Sequence, residues 1–158
     1  MRLYFLRHAE ALDGADDAAR PLSSHGKREA REVGRFLSGA AIEFDAAYCS
    51  PLVRARQTAD IVLDVCGAAP LEIVDALLNE TSERQFGKWL ENLTESKHVL
   101  LVGHAPSLAD RVRRLVGVAN SEGLKLPKGA MACVETEDRR TATLKFLITP
   151  RLIGVRNH

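Results

Sequence analysis

This chain has few of the features by which many protein classes are recognised. Its 158 residues hold three cysteines, Cys49, Cys66 and Cys133. An odd count at these spacings makes neither a disulfide framework nor a metal-type pair, and a reducing cytoplasm is the expected location. No apolar run approaches the ~20 residues that a membrane-spanning helix needs. The apolar start, residues 1–6, is too short for a signal-peptide core and runs into Arg7-His8 with no small-residue cleavage site. Neither sign of charge prevails: 22 Lys and Arg against 21 Asp and Glu leave a formal +1. That balance gives no basic field, so neither nucleic acid nor a membrane is expected as a partner. Glycine is missing where a dinucleotide loop needs it, since no G-x-G-x-x-G follows the first strand. No His and carboxylate pair has metalloenzyme spacing, so the expectation is no metal and no cofactor.

What is present is an ordinary globular composition, 46% hydrophobic and 27% charged, in a length that fits one domain over residues 1–158. Residues 2–7 read as a buried strand that closes on Arg7-His8. Gly14, a run of Asp and Ala, and Pro21 make residues 9–22 a loop. Ala30, Val33, Gly34 and Leu37 then follow helical spacing, with Ser23 or Ser24 as N-cap and Gly39 as stop. Residues 44–49 form a second strand. Ser50-Pro51 predicts a helix start, Ser capping and Pro at the first helical position, and this helix runs to about Cys66 before Gly67. Residues 71–77 read as a third strand, 79–88 as polar loop and 86–93 as a short helix. Residues 98–103 are the clearest buried strand. Pro106 opens a helix with Leu108, Val112, Leu115 and Val116 on one face. Two β-rich runs, 130–135 and 141–148, predict a closing hairpin. The pattern is α/β: a three-layer sandwich with a mostly parallel central sheet flanked by helices and a C-terminal β-hairpin.

In such sheets ligands bind at the carboxyl ends of the strands. His8, Arg54 and His104 all follow predicted strand ends, which predicts one shared site. A phosphoryl group in transfer carries negative charge on its equatorial oxygens, so its catalysts mainly position it and neutralise that charge. Arg7 and Arg54 offer planar forks that bond two phosphate oxygens at once. Arg54 lies in the first turn of its helix, where free N–H groups favour an anion. An imidazole with one unprotonated nitrogen can attack phosphorus directly. Either His8 or His104 fits that role, the other donating to a phosphate oxygen. Taken singly, each residue is more often structural; the proposal of a site rests on three agreeing strand ends. His25, His98 and His158 lie outside these motifs and read as structural or surface residues. A cysteine-phosphatase loop fails on register, because the sixth residue after Cys49 is Ala55 and not an arginine.

Three segments, Leu6-Arg7-His8-Ala9-Glu10, Ser50-Pro51-Leu52-Val53-Arg54-Ala55-Arg56-Gln57-Thr58-Ala59 and Val102-Gly103-His104-Ala105-Pro106, resemble the histidine phosphatase, or phosphoglycerate mutase-like, superfamily. Arg20-Pro21-Leu22-Ser23-Ser24-His25-Gly26, the compact length and Lys128-Gly129-Ala130 are most similar to its SixA-type phosphohistidine phosphatases. The likeness covers nearly the whole chain in the correct order. It implies that His8 is the nucleophile and is transiently phosphorylated, and that Arg7, Arg54 and His104 form the phosphate pocket. Ala9 stands where many members have Gly, a common departure in the SixA-like branch.

Mutase-type relatives protonate the leaving group with a Glu in a Leu-Asn-Glu context. Leu78-Asn79-Glu80 makes Glu80 the candidate acid here, with Glu10, Asp13 and Glu83 as substitutes. An alkoxide leaving group needs such an acid; an imidazole leaving group depends on it less. The expected function is therefore a phosphatase acting on phosphohistidine in a phosphotransfer protein and releasing inorganic phosphate. The alternatives are a phosphomonoesterase of the same superfamily acting on a small phosphate ester, or a non-catalytic phosphate-binding module. A mutase is disfavoured because the chain lacks inserted segments to enclose a substrate.

Overall fold

In the computed structural model, which describes residues 1–156, six strands form one mixed sheet in the order β3-β2-β4-β1-β5-β6. β1 (Arg2–Arg7), β2 (Ala46–Cys49), β3 (Leu71–Ile73) and β4 (His98–Gly103) run parallel. β5 (Met131–Glu135) lies antiparallel to β1, and β6 (Thr143–Ile148) antiparallel to β5. Four helices cover the sheet: α1 (Ser24–Gly39), α2 (Val53–Cys66), α3 (Glu83–Glu91) and α4 (Ser107–Val116).

The two-residue period of β1 builds both faces of the core. Tyr4 and Leu6 join a cluster with Val33 and Leu37 of α1 and Val62 of α2. Leu3 and Phe5 join a second cluster with Phe86 and Leu90 of α3 and Leu108 and Val112 of α4. Successive strand side chains point to opposite faces, so one central strand anchors both helical layers. All four of these β1 side chains are fully buried, and each such burial stabilises by about 1.5–3 kcal/mol. The expected three-layer sandwich is what forms. Among the described residues no helix is long and apolar enough to cross a membrane.

Local signals account for most boundaries. Ser23 caps α1, its Oγ accepting from the Gly26 N–H at 3.0 Å. Ser82 and Gln85 form a reciprocal capping box that starts α3 at Glu83, three residues before the expected start at residue 86. β4 has the expected bounds. Two further elements differ from expectation. α2 begins at Val53, not at Pro51: its N-cap is Leu52, whose apolar side chain accepts no hydrogen bond, while Ser50 Oγ lies against His104 Nε2. β3 ends at Ile73, not at residue 77. It is an edge strand whose sole neighbour, β2, stops at Cys49, paired with Ile73. The Val74 N–H still donates to Cys49 O at 2.9 Å, and the chain then turns through the 3-10 segment Asp75–Leu77, burying Leu77. The three cysteines are buried and free. His25 is buried beside Glu29, and His98 Nδ1 bonds the Tyr4 hydroxyl at 2.8 Å. His158 lies outside the described residues.

Candidate active site

Strand order and register set the site. β1 is paired with β4 so that Arg7 faces Gly103, and β4 with β2 so that Val102 faces Cys49. The residues that follow, His8, His104 and Ser50, therefore leave the sheet side by side at its carboxyl edge. The rings of His8 and His104 lie 5.1 Å apart, centroid to centroid. Arg54, in the first turn of α2, and Arg7 are both close enough to His8 to act on its charge. The structure thus brings Arg7, His8, Arg54 and His104 together.

Several backbone contacts hold this corner. The His8 N–H donates to Gly103 O at 3.0 Å. Thr58 Oγ1 accepts from the Ala9 N–H at 3.1 Å and donates to Arg54 O at 2.7 Å, clasping the histidine-bearing turn to α2. Gln57 Oε1 accepts from the Leu22 N–H at 2.8 Å. The Gly129 N–H donates to Arg7 O and His8 O, both at 3.2 Å. Gly129 has a φ of +74, and a Cβ there would come within 2.8 Å of Pro150. These contacts give a physical reason for Gln57, Thr58 and the Lys128-Gly129-Ala130 segment.

The two imidazoles are set differently. His8 Nδ1 lies 2.7 Å from Ala9 O. A carbonyl only accepts, so Nδ1 carries the proton and Nε2 keeps its lone pair. Burial, opposed by the Ala9 bond and reinforced by Arg54, Arg7 and Lys128, pushes the His8 pKa down to about 4. His104 is 2% exposed. Its Nε2 lies 2.5 Å from Ser50 Oγ, which accepts from the Leu52 N–H at 3.3 Å. We assign the Ser50 hydroxyl proton to that contact, which leaves the ring proton of His104 on Nδ1. Burial, then His8 and Arg54, push the His104 pKa down to about 3, with Asp17 opposing.

Two buried donors in this corner have no partner: Arg7 Nε and, by the assignment above, His104 Nδ1. Buried donors are normally paired, and an unpaired one is costly. Two such donors beside a second guanidinium make a receptor for an anion that supplies oxygens. Arg7 keeps one bond, Nη1 to Leu126 O at 3.0 Å. Beside it opens a cavity of about 540 Å³ whose walls include Pro106, Ala109, Leu126 and Pro127. Among the described residues no three His, Cys, Asp or Glu side chains cluster as metal ligands would.

The carboxylates sort differently from expectation. Glu80 is exposed and bonded to none of the four groups. Its loop is nevertheless tied to the turn after His104. Asn79 Nδ2 donates to Ala105 O at 2.7 Å, and Asn79 Oδ1 accepts from Ser107 Oγ at 2.7 Å. Glu10 accepts from Ser23 Oγ at 2.8 Å. Asp13 lies 3.9 Å from Arg20, and Glu83 lies 3.9 Å from both Arg111 and Arg114. The carboxylate that does reach the site is Asp17, which sequence reasoning missed. Its backbone O and its Oδ2 accept from Arg54 at 2.8 and 3.2 Å. Nothing local distinguishes it from Asp13 or Asp16. Ser50, expected to cap the helix that follows, is instead the partner of His104.

Comparison with known proteins agrees with this geometry. The sequence model of the histidine phosphatase superfamily, branch 1, matches residues 3–98. The phosphohistidine phosphatase SixA of Escherichia coli K12 is 30% identical over 154 residues, 95% of this chain and 94% of that one. A protein of Picosynechococcus with no assigned function is 32% identical over 136 residues, 83% of this chain and 82% of its own length. The solved structure of the protein histidine phosphatase SixA with tungstate superposes with a TM-score of 0.87 at 28% identity, covering 96% of this chain and 98% of that one. The chain belongs to the histidine phosphatase superfamily and is a phosphatase of that superfamily, close to the SixA phosphohistidine phosphatases.

Proposed function

We propose that this phosphatase removes phosphoryl groups from phosphohistidine in a phosphotransfer protein, through a covalent intermediate on His8. The observation that carries the reading is the fixed tautomer of His8: Nδ1–H is held by Ala9 O, and Nε2 is left unprotonated among cationic groups. Nε2 attacks phosphorus, and the bond to the leaving group breaks with its electron pair going to that group. Arg7, Arg54 and the His104 Nδ1–H take the phosphoryl oxygens and offset their charge. Water then attacks the phosphorus on His8. The P–N bond breaks, its pair returns to Nε2, and both water protons leave with the inorganic phosphate. Because Nδ1 stays protonated throughout, His8 departs as neutral imidazole and not as imidazolate.

Support for phosphohistidine as substrate comes from the SixA relatives, alike over nearly their full length. The compact length, without inserted segments to enclose a small substrate, suits a phosphoryl group carried on another protein. A small phosphate ester is the second reading. It is favoured by the adenosylcobalamin/alpha-ribazole phosphatase of Escherichia coli, 35% identical over 94 residues, although only 56% of this chain is aligned. Glu80, on a loop tied beside His104 by Asn79, is the proposed proton donor to an ester oxygen.

The test is turnover of a phosphohistidine protein and of p-nitrophenyl phosphate by wild type, His8→Ala and Glu80→Gln. His8→Ala should be inactive on both and should form no acid-labile phosphoprotein. Glu80→Gln should lose about 100-fold or more on the ester alone, the scale of general acid catalysis. Full activity in His8→Ala would overturn the mechanism. Efficient ester cleavage with no turnover of the phosphoprotein would favour the second reading.

A further inference from the structure

Asp17 stands at the exposed rim of the site against Arg54, on a loop braced at several points. Leu12 N–H donates to Pro21 O at 2.8 Å, and Ala11 and Leu22 form an antiparallel bridge, so residues 11–22 close into a braced loop. Arg20 Nε donates to Leu12 O at 2.8 Å, and its Nη1 donates to Asp17 Oδ1 at 3.0 Å. Asp16 caps the short turn that carries Asp17, its Oδ1 accepting from the Ala18 N–H. Asp17 then bridges outward to Arg20 and inward to Arg54. The groups facing its carboxylate are these two guanidiniums, with Asp13 on the far side of Arg20 and His104 within electrostatic reach below.

The position has a chemical consequence. His8, Arg54 and His104 are almost fully buried, whereas the Asp17 side chain is 67% exposed. A phosphoryl group seated on the buried groups turns its leaving atom outward, towards the rim where Asp17 stands. A carboxylate there opposes further negative charge on the leaving group and favours a cationic N–H donor. Phosphohistidine offers such a donor: the ring nitrogen that does not carry phosphorus can hold a proton.

We infer that Asp17 is a specificity-determining residue that selects imidazole-linked phosphoryl groups by accepting a hydrogen bond from the protonated second nitrogen of the substrate ring. This rests on the phosphohistidine reading above. The transfer is then nearly symmetric. His8 Nε2 supplies the electron pair of the new P–N bond while Ala9 O holds its Nδ1–H. The substrate ring receives the pair of the old P–N bond while Asp17 holds its far N–H, so it leaves as neutral imidazole. No further proton is needed, so an acid such as Glu80 should be dispensable for this substrate. Arg20 and Arg54 hold Asp17 below the usual carboxylate range, so it is an acceptor across the working pH range.

The experiment compares wild type and Asp17→Asn on N-phosphoimidazole and p-nitrophenyl phosphate, with kcat and KM measured from pH 6 to pH 9. Asparagine keeps the size and removes the charge. The ratio of kcat/KM for phosphoimidazole over the ester should fall by about tenfold or more, the scale of a lost charge-assisted bond. A carboxylate raises the pKa of the ring it faces, and kcat falls as pH rises through that pKa. The alkaline limb with phosphoimidazole should therefore move to lower pH in Asp17→Asn, with no such movement for the ester. An unchanged ratio, or an equal loss on both substrates with unmoved limbs, would overturn the assignment and leave Asp17 as a support for Arg54. Failure of the parent reading shows separately, in wild type alone, as no turnover of phosphoimidazole or phosphohistidine protein beside good ester cleavage.

Discussion

His8 and His104 are held neutral by their surroundings. Water is excluded from both, and Arg7 and Arg54 add like charge to whatever proton either ring would bind. Their folded pKa values, about 4 and about 3, lie below the ordinary 6.5 of an unfolded histidine. From about pH 6.5 downward the unfolded chain therefore binds more protons than the folded one, and stability falls with pH through that window. One pKa unit corresponds to about 1.4 kcal/mol, so the two rings together remove on the order of several kcal/mol between pH 7 and pH 4. Urea unfolding of the ligand-free protein across that range should show the loss, and His104→Asn should flatten the curve. A phosphate dianion in the corner acts in the opposite sense, since it favours the charged imidazole. Nitrogen-detected NMR should show both rings neutral at pH 6 without ligand and an added proton on His104 with phosphate. A ring that titrates near 6.5 in the ligand-free protein would contradict the account.

Elements converge on the corner through close backbone approaches, and the tightest is at Gly26. A Cβ there would lie 2.0 Å from Glu10 O, two residues beyond His8, so the first turn of α1 is pressed against the turn that follows β1. Gly26→Ala should cost about 1–3 kcal/mol as an overpacked site and should also lower kcat, because the residue that has to move belongs to the His8 turn. Gly39→Ala is the control, since nothing lies within 4 Å of its Cβ position. Thermal melting of the two variants should separate them clearly; equal melting points would remove the packing argument. The same level shows what a one-dimensional reading captures. β4 was legible to the residue because a strand buried on both faces is written as an unbroken apolar run. The same holds for His8, Arg54 and His104, each placed by a strand end or helix start. β3 was over-extended because Val74 and Leu77 continue the apolar pattern, while the limit is set by where β2 stops. Asp17 was invisible for a related reason: its meaning lies in the Arg54 side chain 37 residues away, not in its neighbours.

At the scale of the whole molecule, the corner that holds Arg7, His8, Arg54 and His104 and one side of the core share the same elements. Cys49 ends β2 immediately before Ser50, Cys66 ends α2, and Cys133 lies in β5 beside β1; all three fall in the cluster under α1 and α2. Burial pushes the Cys49 and Cys133 thiols up to about 11 and raises that of Cys66. A thiolate is the reactive form, so each is unreactive in the folded state for two reasons, access and ionisation. Reaction with an aromatic disulfide reagent then requires opening of the sheet, and the same opening disperses Arg7, His8, Arg54 and His104. A ligand that binds only the folded form adds RT ln(1 + [L]/Kd), about 2.7 kcal/mol at 100 times Kd, which slows an opening-limited modification by about 100-fold. Saturating inorganic phosphate should therefore protect all three thiols by a similar factor, although none of them belongs to that corner, and Arg54→Ala should abolish that protection. One thiol that reacts quickly and ignores phosphate would mean that its element opens alone. In that case the site and the α1–α2 side of the core would not form one cooperative unit.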